Sequence, residues 1–183
     1  SIIRNNYSSE AIKIYGGNLN LKNVLIYGNS SDDETIRATQ NAYLYMENVT
    51  IPNNSDIVYG LVIIGGNTTL VNTILRDEFK IGDDNALMTA SYSNVVGGYI
   101  PHPWSFSAND TIVGDPLFVN PGSGDFTLQS NSPFIDVGDP DLDDDGVSYV
   151  MDIDDQDPDG TRMDIGAYYY DHIYDGPFWM VAS

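Results

Sequence analysis

Leu21-Lys-Asn23-Val-Leu-Ile26 returns as Met46-Glu-Asn48-Val-Thr-Ile51, as Leu70-Val-Asn72-Thr-Ile-Leu75 and as Tyr92-Ser-Asn94-Val-Val96. The Asn positions stand 25, 24 and 22 residues apart, so the first hundred residues are a repeat. Each period holds short runs with alternate apolar residues, among them Ala11-Ile-Lys-Ile-Tyr15, Leu19-Asn-Leu-Lys22 and Val24-Leu-Ile-Tyr27. Turns rich in Gly, Asn and Ser divide them, and runs this short are strands. Such a period with two or three strands predicts an all-β fold, the right-handed parallel β-helix. Each coil turns Ile, Leu and Val inward and cannot close its apolar face alone, so several must stack. Ile2-Ile3-Arg-Asn-Asn6 matches Leu25 to Asn29 and is expected to end an earlier coil. The recurring Asn is expected to stack as a ladder at one bend, bonding to the amide above and to local backbone. Glycan contact is the alternative for it. Leucine-rich repeats share the period, but their L-x-x-L-x-L-x-x-N pattern does not recur.

Composition agrees. Thirteen Tyr, with many Val, Ile, Thr and Asn, favour strands. The formal charge of −20 repels nucleic acid and anionic membrane surfaces, which argues against both as partners. No apolar run approaches a membrane span. The absence of Cys leaves no disulfide framework and no thiolate metal site. A soluble extracellular or cell-surface chain that takes up cations fits these facts.

The organisation is expected as follows: coils over 1–98, a long loop and last irregular coil over 99–138, an acidic region with a closing strand over 139–170, and a linker or the start of a following unit over 171–183. Phe126-Thr-Leu128 and Ser132-Pro-Phe-Ile-Asp136 suit that last coil, and Asp164-Ile-Gly-Ala-Tyr-Tyr-Tyr170 the closing strand. Ser1 to Asn6 reads as a strand tail and Gly176-Pro-Phe-Trp-Met-Val181 as an uncovered apolar strand. A piece of a longer array, able to meet neighbouring β-helix units or itself end to end, is expected.

Ala90-Ser-Tyr-Ser-Asn-Val-Val-Gly-Gly98, Gly114-Asp-Pro-Leu-Phe-Val-Asn-Pro121, Gly124-Asp-Phe-Thr-Leu-Gln129, Ser132-Pro-Phe-Ile-Asp-Val-Gly138 and Asp164-Ile-Gly-Ala-Tyr168 follow in that order. In wording and order they resemble the C-terminal part of bacterial secreted or surface right-handed parallel β-helix proteins of the pectin-lyase-like group. That resemblance implies the fold and an extracellular setting, and no reaction.

Twelve of the 27 acids lie between Asp136 and Asp164, with Arg162 as the one base. Two D-x-D-x-D-G strings sit there: Asp141, Asp143, Asp145 with Gly146, and Asp155, Asp157, Asp159 with Gly160. Alternate Asp before Gly wraps a short loop around a hard cation, which makes calcium the expected cofactor. In the first string Asp152 falls at position 12 of an EF-hand-type loop. In the second, Asp164 follows the Gly by four residues. Asp139 and Asp154 are substitutes within the ligand set. A solvated acidic loop is the alternative.

Catalysis is not expected. Lys13, Lys22, Arg37, Arg76 and Lys80 show no clustering along the chain. Gly82-Asp83-Asp84 resembles the paired Asp of polygalacturonases, where carboxylates act as acid and base. The N-T-D, Gly-His and Arg-Ile-Lys motifs of that family are missing, so a turn is the better reading. His102 beside Trp104 reads as a loop anchor. Tyr99, Trp104 and Phe106 could stack on sugars, which keeps a polysaccharide among the partners. The six N-x-S/T sequons read as chance matches. A calcium-stabilised structural or adhesive segment is the expectation. A fragment of a polysaccharide-binding or polysaccharide-degrading β-helix, active outside this chain, is the alternative.

Overall fold

The repeat closes on itself through residues that tolerate a left-handed backbone. In the computed structural model, which describes residues 1–7, 10–30, 34–52, 54 and 58–172, Asn23, Asn48, Asn72, Tyr92 and Asp110 all have φ between 44° and 54°. A second corner turns at Gly16-Gly17, Gln40-Asn41 and Gly65-Gly66, and a third at Asn5 and Gly28. Between corners the chain is straight, and the result is a parallel β-solenoid of about four turns.

Ten strands form the stacked sheet: β1 (Ile2–Arg4), β2 (Ile12–Tyr15), β3 (Asn18–Tyr27), β4 (Glu34–Ile51), β5 (Tyr59–Val71), β6 (Ile74–Leu75), β7 (Phe79–Ile81), β8 (Ala86–Ser91), β9 (Asn94–Val95) and β10 (Phe106–Asn109). The long strands run through corners, so β4 pairs with β2 and β3 below it and with β5 and β6 above it. β2, Glu34–Thr39, Tyr59–Ile64 and β7 make a first face. Asn18–Lys22, Ala42–Glu47, Gly66–Val71, β8 and β10 make a second, and β1, Val24–Tyr27, Val49–Ile51, β6 and β9 a third. Alternate residues stack inward in columns, such as Ile14, Ala38, Ile63 and Ile81. These columns are the core. Among the described residues the only helical pieces are three short 3-10 turns, and no helix is long and apolar enough to cross a membrane.

Two expectations change. Register equates Asn72 with Tyr92, because Val71 faces Ser91, and Asn94 faces Ile74. Core residues fix the register, and the fourth coil has shortened, so an alignment anchored on Asn-Val slips by two. The ladder also lies elsewhere. Asn6 donates its backbone N–H and Nδ2 to Asn29 Oδ1 (3.2 and 2.8 Å). Asn29 N–H reaches Asn54 Oδ1 at 3.0 Å, and Asn54 N–H and Nδ2 reach the Asp77 carboxylate at 3.0 and 2.7 Å. Asn29, Asn54 and Asp77 are buried, so this is an internal ladder that ends in a carboxylate.

Residues 114–172 lie against the third face rather than on the end of the stack. β11 (Phe118–Asn120) and β12 (Asp125–Leu128) pair antiparallel as a sheet of their own, where a last coil was expected. Leu128, Phe134 and Ile165 join Ile74 in a second core, and Phe126 packs on Tyr27 with ring centroids 5.0 Å apart. Asp164–Tyr170 forms bends, not a closing strand. Its N–H groups go to different partners: Asp164 to Asp157, Ile165 to Phe134 O, Gly166 to Asn72 O and Ala167 to Thr50 Oγ1. Asn72 and Thr50 belong to the solenoid, so this segment clips the acidic region to the third face. The Phe178–Val181 strand expected near the end lies outside the described residues.

Candidate metal centre

The first Asp string is a loop folded by its own carboxylates. Asp141 accepts from Gly146 N–H at 3.1 Å, Asp143 from Asp145 N–H at 3.2 Å and Asp145 from Val147 N–H at 2.7 Å. Asp144 (φ 60°) and Gly146 (φ 84°) bend the backbone so that these side chains share one side. One oxygen each from Asp141, Asp143 and Asp145 lie within 4.8 Å of one another. Ligands at about 2.3–2.6 Å from a calcium ion stand no farther apart than roughly twice that, so the trio matches an ion's coordination sphere.

Asp155 reaches the first loop from the other string. It ends the 3-10 turn Ile153–Asp155, capped by Asp152, and is fully buried. Its Oδ1 accepts from Leu142 N–H at 2.5 Å, inside the first loop. Its Oδ2 is buried with no hydrogen-bond partner. Burial pushes its carboxyl above the usual range, and the charges of Asp152, Asp143 and Asp141 push it further. A buried, unpartnered oxygen among like charges is costly, and a bound ion is one of the ordinary reasons for such an atom. Asp141, Asp143 and Asp145 therefore fit a cation, with Asp155 close enough to feel the charges of Asp141, Asp143 and Asp152.

Asp157, Asp159 and Asp164 form a second knot with Asp136, which the sequence did not single out. Asp164 accepts from Asp136 N–H at 2.7 Å and Tyr170 N–H at 2.5 Å, and Asp157 accepts from Asp164 N–H at 2.8 Å. Asp136 pairs with His172 Nε2 at 3.0 Å, and its Oδ1 is buried without a partner. Burial, then the charge of Asp164, raises Asp157 to about 7. Burial raises Asp164 to about 6. Desolvation would raise Asp159 too, but the His172 amide and the Thr161 hydroxyl and amide hold it below the usual range. Most oxygens here already accept backbone N–H groups, so this knot serves first to shape the turn. Asp139 caps Asp141 N–H while its own N–H reaches Asn72 Oδ1 at 2.7 Å, tying the first loop to the solenoid. Asp154 is exposed on the 3-10 turn.

Away from the acids, stacking creates a cluster that linear sequence hides. Lys13 faces Arg37, Arg37 faces Val62, and Val62 faces Lys80. Three of the five bases thus share one column of the first face. The available signal was their common place in the repeat, 24 residues apart for Lys13 and Arg37. Asp83 accepts from Asn85 N–H at 2.9 Å, as a turn residue does. His102 sits 2.8 Å from Asp84 and stacks on Trp104 at 4.3 Å. The sequon residues Asn29 and Asn48 are buried and closed to glycans.

No protein-family model, curated protein or solved structure matches the chain.

Proposed function

We propose that the chain is a calcium-stabilised structural or adhesive segment of an extracellular or cell-surface β-helix protein. The observation that carries this reading is Asp155 Oδ2, buried and unpartnered beside Asp141, Asp143 and Asp152. Asp141, Asp143 and Asp145 supply three ligand oxygens, and Asp152 and Asp155 close the set. Asp157, Asp159 and Asp164 with Asp136 offer a second, tighter acidic centre. The ion's role is mechanical: it fastens the acidic region, which clips onto Asn72 and Thr50, to the side of the solenoid. Right-handed coiling is the rule for parallel crossovers. The bacterial surface setting rests on the pectin-lyase-like wording of the C-terminal blocks. End-to-end contact with another β-helix unit or a second copy is supported by the lower edge of β2 and the first half of β3, which have no strand beneath them among the described residues.

The test is thermal melting with calcium and with chelator. Extracellular calcium sites have dissociation constants of about 10⁻⁴ to 10⁻³ M. At roughly 100-fold excess over that constant one site adds about 2.7 kcal/mol. Identical melting in both conditions contradicts the proposal.

A further inference from the structure

We propose that the first face carries a binding site for a neutral saccharide, centred on the Gln40–Asn41 corner. The coils below and above turn this corner with Gly16-Gly17 and Gly65-Gly66, at φ of 71°, 76°, 76° and 95°. The middle coil turns it with Gln40 and Asn41, at φ of 58° and 57°, and carries an extra residue there, so the register with β5 slips between Thr39 and Ala42. A left-handed backbone costs an ordinary L-residue such as Gln40 about 1–2 kcal/mol; glycine avoids that cost and Asn, as at Asn41, tolerates the conformation. The repeat itself supplies the unstrained solution on both sides. A Gln side chain retained against such a cost points to a use for it, with Asn41 beside it.

Both side chains face an open groove of about 480 Å³, lined also by Lys13, Tyr15, Arg37 and Asp83. Ligand sites run from about 300 to 1,000 Å³. A Cβ at Gly65 would lie 3.4 Å from Asn41 Oδ1 and 3.6 Å from Asp83 Oδ2, so the bare glycine brings amide and carboxylate side by side. Tyr15, 74 % exposed, offers its ring at the rim.

The charge balance selects the ligand. Lys13 is paired with Glu10 at 2.7 Å and Arg37 with Glu34, so the bases carry no excess charge into the groove. Asp83 adds a carboxylate, and the chain as a whole is at −20. A polyanion is repelled. Alternating donors and acceptors beside an aromatic face fit vicinal hydroxyls and the apolar face of a sugar ring. The site does not rest on the cation reading: the acidic region docks at the Asn48–Asn72 bend, a different corner.

The experiment is affinity electrophoresis of the whole chain through gels containing β-glucan, xylan, galactomannan or polygalacturonate, each with calcium and with chelator. Retardation by a neutral polysaccharide, in chelator as in calcium, is expected. Calorimetry on that polysaccharide should show binding about tenfold weaker or worse in the double variant Gln40→Gly, Asn41→Gly. The same variant should melt close to the wild-type temperature, because the strain relieved at Gln40 offsets the entropy that glycine adds to the unfolded chain. A melting temperature lower by more than about 10 °C would show that the corner is kept for the fold, and overturns the inference. Tyr15→Ala should weaken binding comparably with melting unchanged, and unchanged binding in it overturns the inference. So does retardation by polygalacturonate alone, or by none of the four.

Discussion

Replacing Asp77 by Asn should stabilise the protein above neutral pH. Asp77 ends the internal ladder, is 8 % exposed, and burial raises its carboxyl to about 6 from 3.8, against the lowering effect of the Asn54 side-chain and backbone bonds. A folded-state value above the unfolded one means that the native state binds the proton more tightly. The associated stability is fully present below pH 3.8, is lost as pH rises through about 6, and is absent at pH 8. The gap from 3.8 to about 6 corresponds to roughly 3 kcal/mol. An Asn is neutral at every pH and can occupy the place. Asn29 Oδ1 already accepts both the N–H and Nδ2 of Asn6, the same pair of bonds that Asn54 makes to Asp77. Urea denaturation in chelator should therefore give Asp77→Asn the wild-type stability at pH 4 and a gain of up to roughly 3 kcal/mol at pH 8. For a chain of this size that is about 6–12 °C in melting temperature. A variant less stable than wild type at pH 8 would refute the reasoning, because the charge-assisted bonds to Asn54 would then outweigh the cost of burying the charge.

Asp155→Asn and Asp143→Asn should each remove most of the calcium-dependent rise in melting temperature while changing the chelator-treated protein little or stabilising it, as scans of the two conditions will show. Asp157 and Asp164, at about 7 and about 6, should make the metal-free protein lose stability as pH rises through that range. The calcium-dependent gain should shrink as pH is lowered, since the ion competes with the proton that burial favours on Asp155. Gly66→Ala should cost about 3 kcal/mol or more, read as a fall in the urea midpoint, because its φ is +95° and a Cβ would lie 2.1 Å from Ala42 O.

The coil was legible because one pattern repeats: inward columns such as Leu21, Met46 and Leu70 recur at almost constant spacing. The slip at Asn94 arose because the fourth coil lost residues outside the core, where pattern matching has nothing to hold. Of the ladder residues, the match of Asn6 with Asn29 shows in the sequence, whereas Asn54 and Asp77 stand beside loops of varying composition and join them only through the stack. Residues 114–172 defeated strand reading because their N–H groups bond to scattered acceptors and leave no alternation. The acidic strings were plain in the text, and their division was not. Asp155 opens the second string in sequence, yet it reaches Leu142 in the first loop, a contact made by the fold of the intervening 3-10 turn.

Calorimetric titration of the chelator-stripped chain with calcium at neutral pH, repeated in buffers of different ionisation enthalpy, tests the cation centre most directly. Saturable binding with release of protons is predicted, together with a clear loss of affinity in Asp155→Asn. Absence of binding heat in every buffer, or the same isotherm from Asp155→Asn as from the wild type, would contradict it.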